Sequence, residues 1–184
     1  DDDFLNVSLG QVIADCHFRI RLSTDELKDK PDELELEAQE LKREFSKMKQ
    51  PVVVDLKKAH LGLVGEKSVI HEQLKLLVAQ LTFFQSYHDL EIVTIYNNRF
   101  DADFQWMRWY PHLRIHAVNV VGTVNSERKR DQILGSLHQM IKNRKNKLEE
   151  SKMESRFLPH LIFIIDEPKL IMDHSIMEYQ DKEG

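Results

Sequence analysis

Residues 60–81, HLGLVGEKSVIHEQLKLLVAQL, decide how the chain reads. HLGLVG has the apolar run of a short strand that turns at Gly65. The following SVIHEQLKLLVAQLTFFQS carries Ile70, Leu74, Leu77 and Leu81 along one stripe at helical spacing. A strand, a glycine turn and a Lys-Ser pair opening a helix form the frame of a phosphate-binding loop, G-x-x-x-x-G-K-[ST]. In that motif the glycines let backbone N–H groups converge on phosphate, while Lys reaches the outer phosphates and Ser/Thr holds Mg²⁺. The fit fails in both registers. Anchoring on Lys67 and Ser68 puts Glu66 and Leu61 where the motif needs glycines, and leaves Gly62 out of register. Anchoring on Gly65 puts Ile70, His71 and Glu72 at the Gly-Lys-Ser positions. Glu66 opposes phosphate directly, since like charges ~4 Å apart repel by about 4 kcal/mol at an effective dielectric of 20. The stretch reads as a tight strand-to-helix turn with an acidic first helix residue; a weak anion or nucleotide site at the helix N-terminus is the alternative.

Working outward, helix and strand patterns alternate. LEIVTIY (90–96) is a buried strand, DADFQWMRW a short helix closed before Pro111, and RIHAVNVV (114–121) a strand. NSERKRDQILGSLHQMIKNRKNKLEE (125–150) is a long helix with Ile133, Leu134, Leu137 and Ile141 toward a sheet. HLIFIID (160–166) is a strand, and PKLIMDHSIMEY (168–179) a helix or a loop. This alternation predicts an α/β fold with a mostly parallel sheet and helices on both faces, RecA-like in type. HLIFIIDEP also has the Walker B form, apolar residues before Asp166 and Glu167. Acids at a strand end are common, so without a phosphate cradle both read as remnants.

Before residue 50 the character differs. HFRIRL places Phe18, Ile20 and Leu22 on one face of a strand. A helix follows with Leu34, Ala38, Leu41, Phe45 and Met48 at helical spacing, acids early and lysines late, ended by Pro51 ahead of the strand VVVDL. The expected division is residues 1–50 as a β-plus-helix appendage and 51–184 as the nucleotide-binding-type core.

Bulk properties narrow the function. With 41% hydrophobic and 31% charged residues the 184-residue chain can build a core, and a net charge of −5 argues against a nucleic-acid binder. One cysteine, Cys16, excludes an internal disulfide framework. The longest apolar run, LIFII, is far short of the ~20 residues a membrane helix needs. The chain opens on three aspartates with no signal peptide and stops directly after an amphipathic stretch, so it reads as a piece of a longer protein. His112 and His116 straddle Pro111 and lack a third ligand, His17 and Cys16 are adjacent on a strand, and no metal site is expected. Arg128, Lys129, Arg130, Lys142, Arg144, Lys145 and Lys147 read as the solvated side of the long helix, with an acidic partner or DNA as the alternative. Trp106, Trp109 and Tyr110 sit in one aromatic cluster, and any of them left exposed would mark an interface.

LVAQLTFFQSYHDLEIVTIY (77–96), WMRWYPH (106–112), RKRDQILGSLHQMIKNR (128–144) and LPHLIFIIDEPKLIMDHSIMEY (158–179), in that order, resemble the membrane-proximal cytosolic domain of the EssC/EccC (YukB-type) motors of bacterial type VII secretion, within the FtsK/SpoIIIE ATPases. The likeness runs from about residue 50 to the end, and the first 50 residues fit a segment joining this domain to membrane helices. The resemblance implies transmembrane helices before this piece and ATP/Mg-using ATPase domains after it. It also implies a cytoplasmic, membrane-associated location, small WXG-type export substrates for the whole protein, and other domains and subunits of the machinery as partners. It implies a degenerate first domain, with no catalytic residues and no cofactor of its own. An active or regulatory ATP site using Lys67, Ser68, Asp166 and Glu167, and less directly an FtsK-like DNA translocase, are the alternatives.

Overall fold

The computed structural model describes residues 3–16, 21, 32–151 and 157–179, which group into two compact units, 1–59 and 60–184. The expected strand at 17–22 lies outside the described residues, apart from Arg21.

In the first unit β1 (Asn6–Asp15) pairs antiparallel with β2 (Lys47–Asp55), from Asn6 opposite Asp55 to Asp15 opposite Lys47. The register shifts between Ser8 and Gly10. The extra residue is Leu9, and the Gly10 that follows it has φ +147°, a conformation open to a residue without Cβ. Between the strands lies α1 (Glu33–Glu44). It starts with a capping box: Glu35 N–H donates to Asp32 Oδ1 at 2.8 Å, and Asp32 N–H donates to Glu35 Oε2 at 3.1 Å.

Two expectations change here. The helix stops at Glu44, before Pro51, and Met48 lies in a strand. Pro51 sits inside β2 opposite Gln11; each strand of a two-stranded ladder has an unpaired edge, where a missing N–H costs little. The β-branched run VVV that follows favours strand over one more helical turn. Residues 51–55 therefore pair with β1 in the first unit and do not extend the core sheet.

The second unit is α/β, around a three-stranded parallel sheet. Its elements in chain order are α2 (Lys67–Phe84), β3 (Leu90–Ile95), α3 (Asp101–Phe104), β4 (Arg114–Ile115), β5 (Val120–Val121), β6 (Thr123–Val124), α4 (Glu127–Ser151) and β7 (His160–Ile165). The sheet order is β6-β3-β7, with Leu90–Ile95 of β3 matched residue for residue to His160–Ile165 of β7. Every residue of β3 is buried, Glu91 and Thr94 among them, so both faces of the central strand are covered, as its mostly apolar run predicts. On one face Val93 and Ile95 pack with Val124 and with Ile133, Leu134 and Leu137 of α4. Burying each such aliphatic side chain is worth about 1.5–3 kcal/mol, and this stripe holds α4 on the sheet.

HLGLVG forms no strand; residues 59–66 are irregular up to α2. Its apolar residues have strand propensity, but among the described residues they pair in no ladder. RIHAVNVV is also not one strand. It folds back as a β4–β5 hairpin, Arg114 opposite Val121, around a turn in which Asn119 takes φ +51°. Asparagine tolerates that left-handed conformation better than most residues. Gly122 then carries the chain into β6: its N–H donates to Leu113 O at 2.6 Å and its carbonyl accepts from Thr94 N–H at 2.7 Å. A Cβ at Gly122 would lie 2.6 Å from Ile92 O, so this close approach requires glycine. The 168–179 segment resolves into two short 3₁₀ turns, Pro168–Leu170 and Ser175–Tyr179, with Ile171 and Ile176 buried in the α4-side core. No helix among the described residues is long and apolar enough to cross a membrane.

Candidate functional site

Two places combine polar chemistry with the start of a helix. The first is the loop before α2. Gly62, Gly65, Glu66, Lys67 and Ser68 are all exposed, and Val64 between the glycines is fully so. Neither Gly62 nor Gly65 has a positive φ, and open space surrounds the Cβ position of each. The alternation of right- and left-handed backbone that folds successive N–H groups into an anion nest is therefore missing. Among the described residues, no backbone N–H from 61 to 66 meets a backbone acceptor. Glu66 stands at the N-cap without capping the helix through its side chain. Instead its carboxylate accepts the Ser68 hydroxyl at 2.9 Å, the group a magnesium site would need. The Lys67 ammonium lies over the Phe100 ring.

Asp166 and Glu167 follow the end of β7, and both backbone N–H groups donate to Ile95 O, at 2.8 and 3.2 Å. Among the described residues neither makes an ion pair with Lys67, so the structure does not join these acids to the loop by any direct bond.

The second place is a cleft of about 490 Å³ at the carboxyl ends of β3 and β6, where open α/β sheets most often hold ligands. Its walls come from α3 and the following turn (Asp101, Phe104, Gln105, Arg108) and from the first turns of α4 (Lys129, Gln132, Ile133). Tyr96 and Asn125, immediately beyond the two strands, converge on Asp101: the Tyr96 hydroxyl donates to Oδ1 at 2.9 Å and Asn125 Nδ2 donates to the same oxygen at 2.7 Å. These two hydrogen bonds, Asn125 first, hold the Asp101 carboxyl below its usual range, with Lys129 adding to the effect. Burial, with Asp101 beside it, pushes the Tyr96 phenol far up. At neutral pH the cleft therefore holds one fixed carboxylate and one neutral phenol.

The aromatic cluster divides. Trp106 is half-buried, its Nε1–H donating to Asp103 O at 2.7 Å and its ring edge-on to Tyr110, also half-buried. Trp109 is 77% exposed, with the Arg108 guanidinium 4.8 Å over its ring. His112 and His116 are used separately. His112 is buried with Nε2 2.9 Å from Gln85 O, while His116 Nδ1 lies 3.1 Å from Oε1 of the buried Glu91. Among the described residues no three His, Cys, Asp or Glu side chains group to hold a metal.

The Tyr96–Asp101–Asn125 constellation has no sequence motif. Its one signal is positional: polar residues directly after the apolar runs that end at Ile95 and Val124.

The structure thus defines an α/β unit with a mostly exposed, irregular loop leading into α2 and a polar cleft at its strand ends. Its relatives are type VII secretion proteins. The chain is 34% identical over 179 residues, 96% of its length, to the ESX secretion system protein YukB of Bacillus subtilis strain 168. It is 32% identical over 184 residues, 99% of its length, to the ESX secretion system protein EccC of Geobacillus thermodenitrificans. It is 34% identical over 185 residues, 98% of its length, to the type VII secretion system protein EssC of Staphylococcus aureus strain MSSA476. The chain is therefore an EssC/EccC-type domain, and it spans 12% of the length of each of these relatives. No family model and no solved structure matches it.

Proposed function

We propose that this domain is a non-hydrolysing, RecA-like structural and regulatory element of a type VII secretion motor of the FtsK/SpoIIIE kind. It would link a membrane-anchored part of that motor, on the cytoplasmic side, to ATP-driven domains elsewhere in the same protein. In this reading the first unit, residues 1–59, forms the joining segment, and the later domains bind ATP and Mg²⁺ and drive export of small WXG-type proteins. The domain itself has no cofactor and no catalytic residue.

The observation that carries the reading is the backbone of the loop before α2. A triphosphate is gripped mainly by converging N–H groups, and residues 61–66, with Leu61 and Leu63 half-buried and the rest exposed, have no left-handed glycine to make them converge. Glu66 adds a repulsive charge and occupies Ser68. The relatives, secretion-system proteins by name, support the secretion context.

Measuring nucleotide turnover by the chain and by Lys67→Ala tests the claim. Both should sit at the background rate. Turnover by the parent chain that Lys67→Ala abolishes would establish the rival, a working ATP site built from Lys67, Ser68, Asp166 and Glu167. DNA translocation predicts steeply salt-dependent DNA binding; a mobility-shift assay at low salt should show none.

A further inference from the structure

We propose that the cleft between α3 and the start of α4, with the exposed indole of Trp109 beside it, docks an acidic peptide segment of a partner protein carrying one large apolar side chain. Three observations meet there. First, Arg108 and Lys129 both line the cleft, and among the described residues neither makes an ion pair. Against these two cations the lining sets one carboxylate, Asp101, so the cleft carries one positive charge in excess, and Asp101 has Oδ1 committed to Tyr96 and Asn125. Second, Arg108 links the cleft to Trp109 by lying over its ring, so cation and indole form one continuous surface. A tryptophan this exposed is the kind of anchor that dominates interfaces once buried. Third, Val121 is 52% exposed and, with Phe104 and Ile133, gives the same cleft an apolar side.

This combination selects a peptide. An inorganic anion would use the two cations and leave the indole and Val121 uncovered. A nucleic-acid backbone would bring a row of phosphates past the fixed carboxylate of Asp101, on a chain of net charge −5. A segment with an acidic side chain toward Arg108 and Lys129, and a Leu, Phe or Trp against Val121 and Trp109, satisfies both halves. The proposal holds whether or not the loop before α2 takes nucleotide, so it stands apart from the function proposed above.

The test is an array of twelve-residue peptides carrying adjacent Asp or Glu residues and one Leu, Phe or Trp at varied spacing, beside copies with Asn and Gln at the acidic positions. It is probed with the 184-residue chain, and hits are measured in solution by fluorescence anisotropy. Acidic peptides should bind, and their amide copies about tenfold more weakly or worse. Trp109→Ala should weaken binding by about 30-fold. Arg108→Glu with Lys129→Glu should abolish it, while Lys142→Glu, farther along α4, should leave it unchanged. All these side chains are exposed, so thermal melts should show every variant folded, the one carrying Lys129→Glu melting slightly below the parent because a like charge then stands beside Asp101. An array without hits, hits indifferent to peptide charge or to Trp109→Ala, or equal loss with Lys142→Glu would overturn the proposal. So would an acidic oligonucleotide that competes as well as the peptide.

Discussion

Two short segments each lead into a helix and each combines glycine with a serine, two glycines in the first and one in the second, yet they are physically opposite. Residues 61–68 enter α2 with Val64 fully exposed, both glycines in open space and the serine tied to its neighbour Glu66. Residues 121–126 enter α4 with Val124 fully buried, Gly122 stitched to Leu113 and Thr94, and Asn125 bonded to Asp101. The first looks like a binding motif in letters, and the second has no motif. Yet only the second is held by hydrogen bonds and packing in a fixed geometry beside a cleft. Preorganisation, which a site needs in order to discriminate, lies where chain segments far apart in sequence converge.

The contrast can be broken or sharpened by substitution. The largest effect should come from the core that anchors the second segment. Leu137→Ala should cost about 3–4 kcal/mol in denaturant unfolding, while Val64→Ala should fall within about 0.5 kcal/mol of the parent. Next, Gly122→Ala forces a Cβ against Ile92 O and should cost about 2–3 kcal/mol, where Gly65→Ala, with nothing nearby, should be neutral. Asn125→Ala removes a hydrogen bond to a carboxylate and should cost about 1 kcal/mol; Ser68→Ala should cost close to nothing. Equal costs at the paired positions would show that the loop before α2 is as constrained as the strand end.

The smallest effect is on pH dependence. The folded Asp101 carboxyl titrates below its usual value, so the stability it contributes is complete above the ordinary carboxylate pKa of about 3.9 and is lost as pH falls through the lower folded value. Thermal melts of the parent and Asp101→Asn should differ at neutral pH and converge in strong acid. A gap that widens on acidification would mean that Asp101 is not held by Tyr96 and Asn125.

Where one element carries its own periodicity, the sequence is legible. The stripe Ile70, Leu74, Leu77, Leu81 sits in α2, with Leu77 and Leu81 buried; Ile133, Leu134 and Leu137 bind α4 to the sheet; LEIVTI and HLIFII form β3 and β7. The reading fails where an outcome depends on a partner. HLGLVG has strand-forming residues but, among the described residues, joins no ladder. RIHAVNVV breaks at Asn119, a turn residue inside an apolar alternation. Met48 left its helix because Lys47–Asp55 pairs with β1 across many residues of sequence. The cleft was invisible for the same reason: Tyr96, Asp101 and Asn125 are brought together by the pairing of β3 with β6, and Trp109 was marked by its cluster but not by its exposure.

The central claim is that the backbone ahead of α2 does not grip a triphosphate. Calorimetric titration of the chain with Mg-ATP tests it most directly. The account predicts no heat of binding in the micromolar range; a saturable isotherm there, lost in Lys67→Ala, would contradict it.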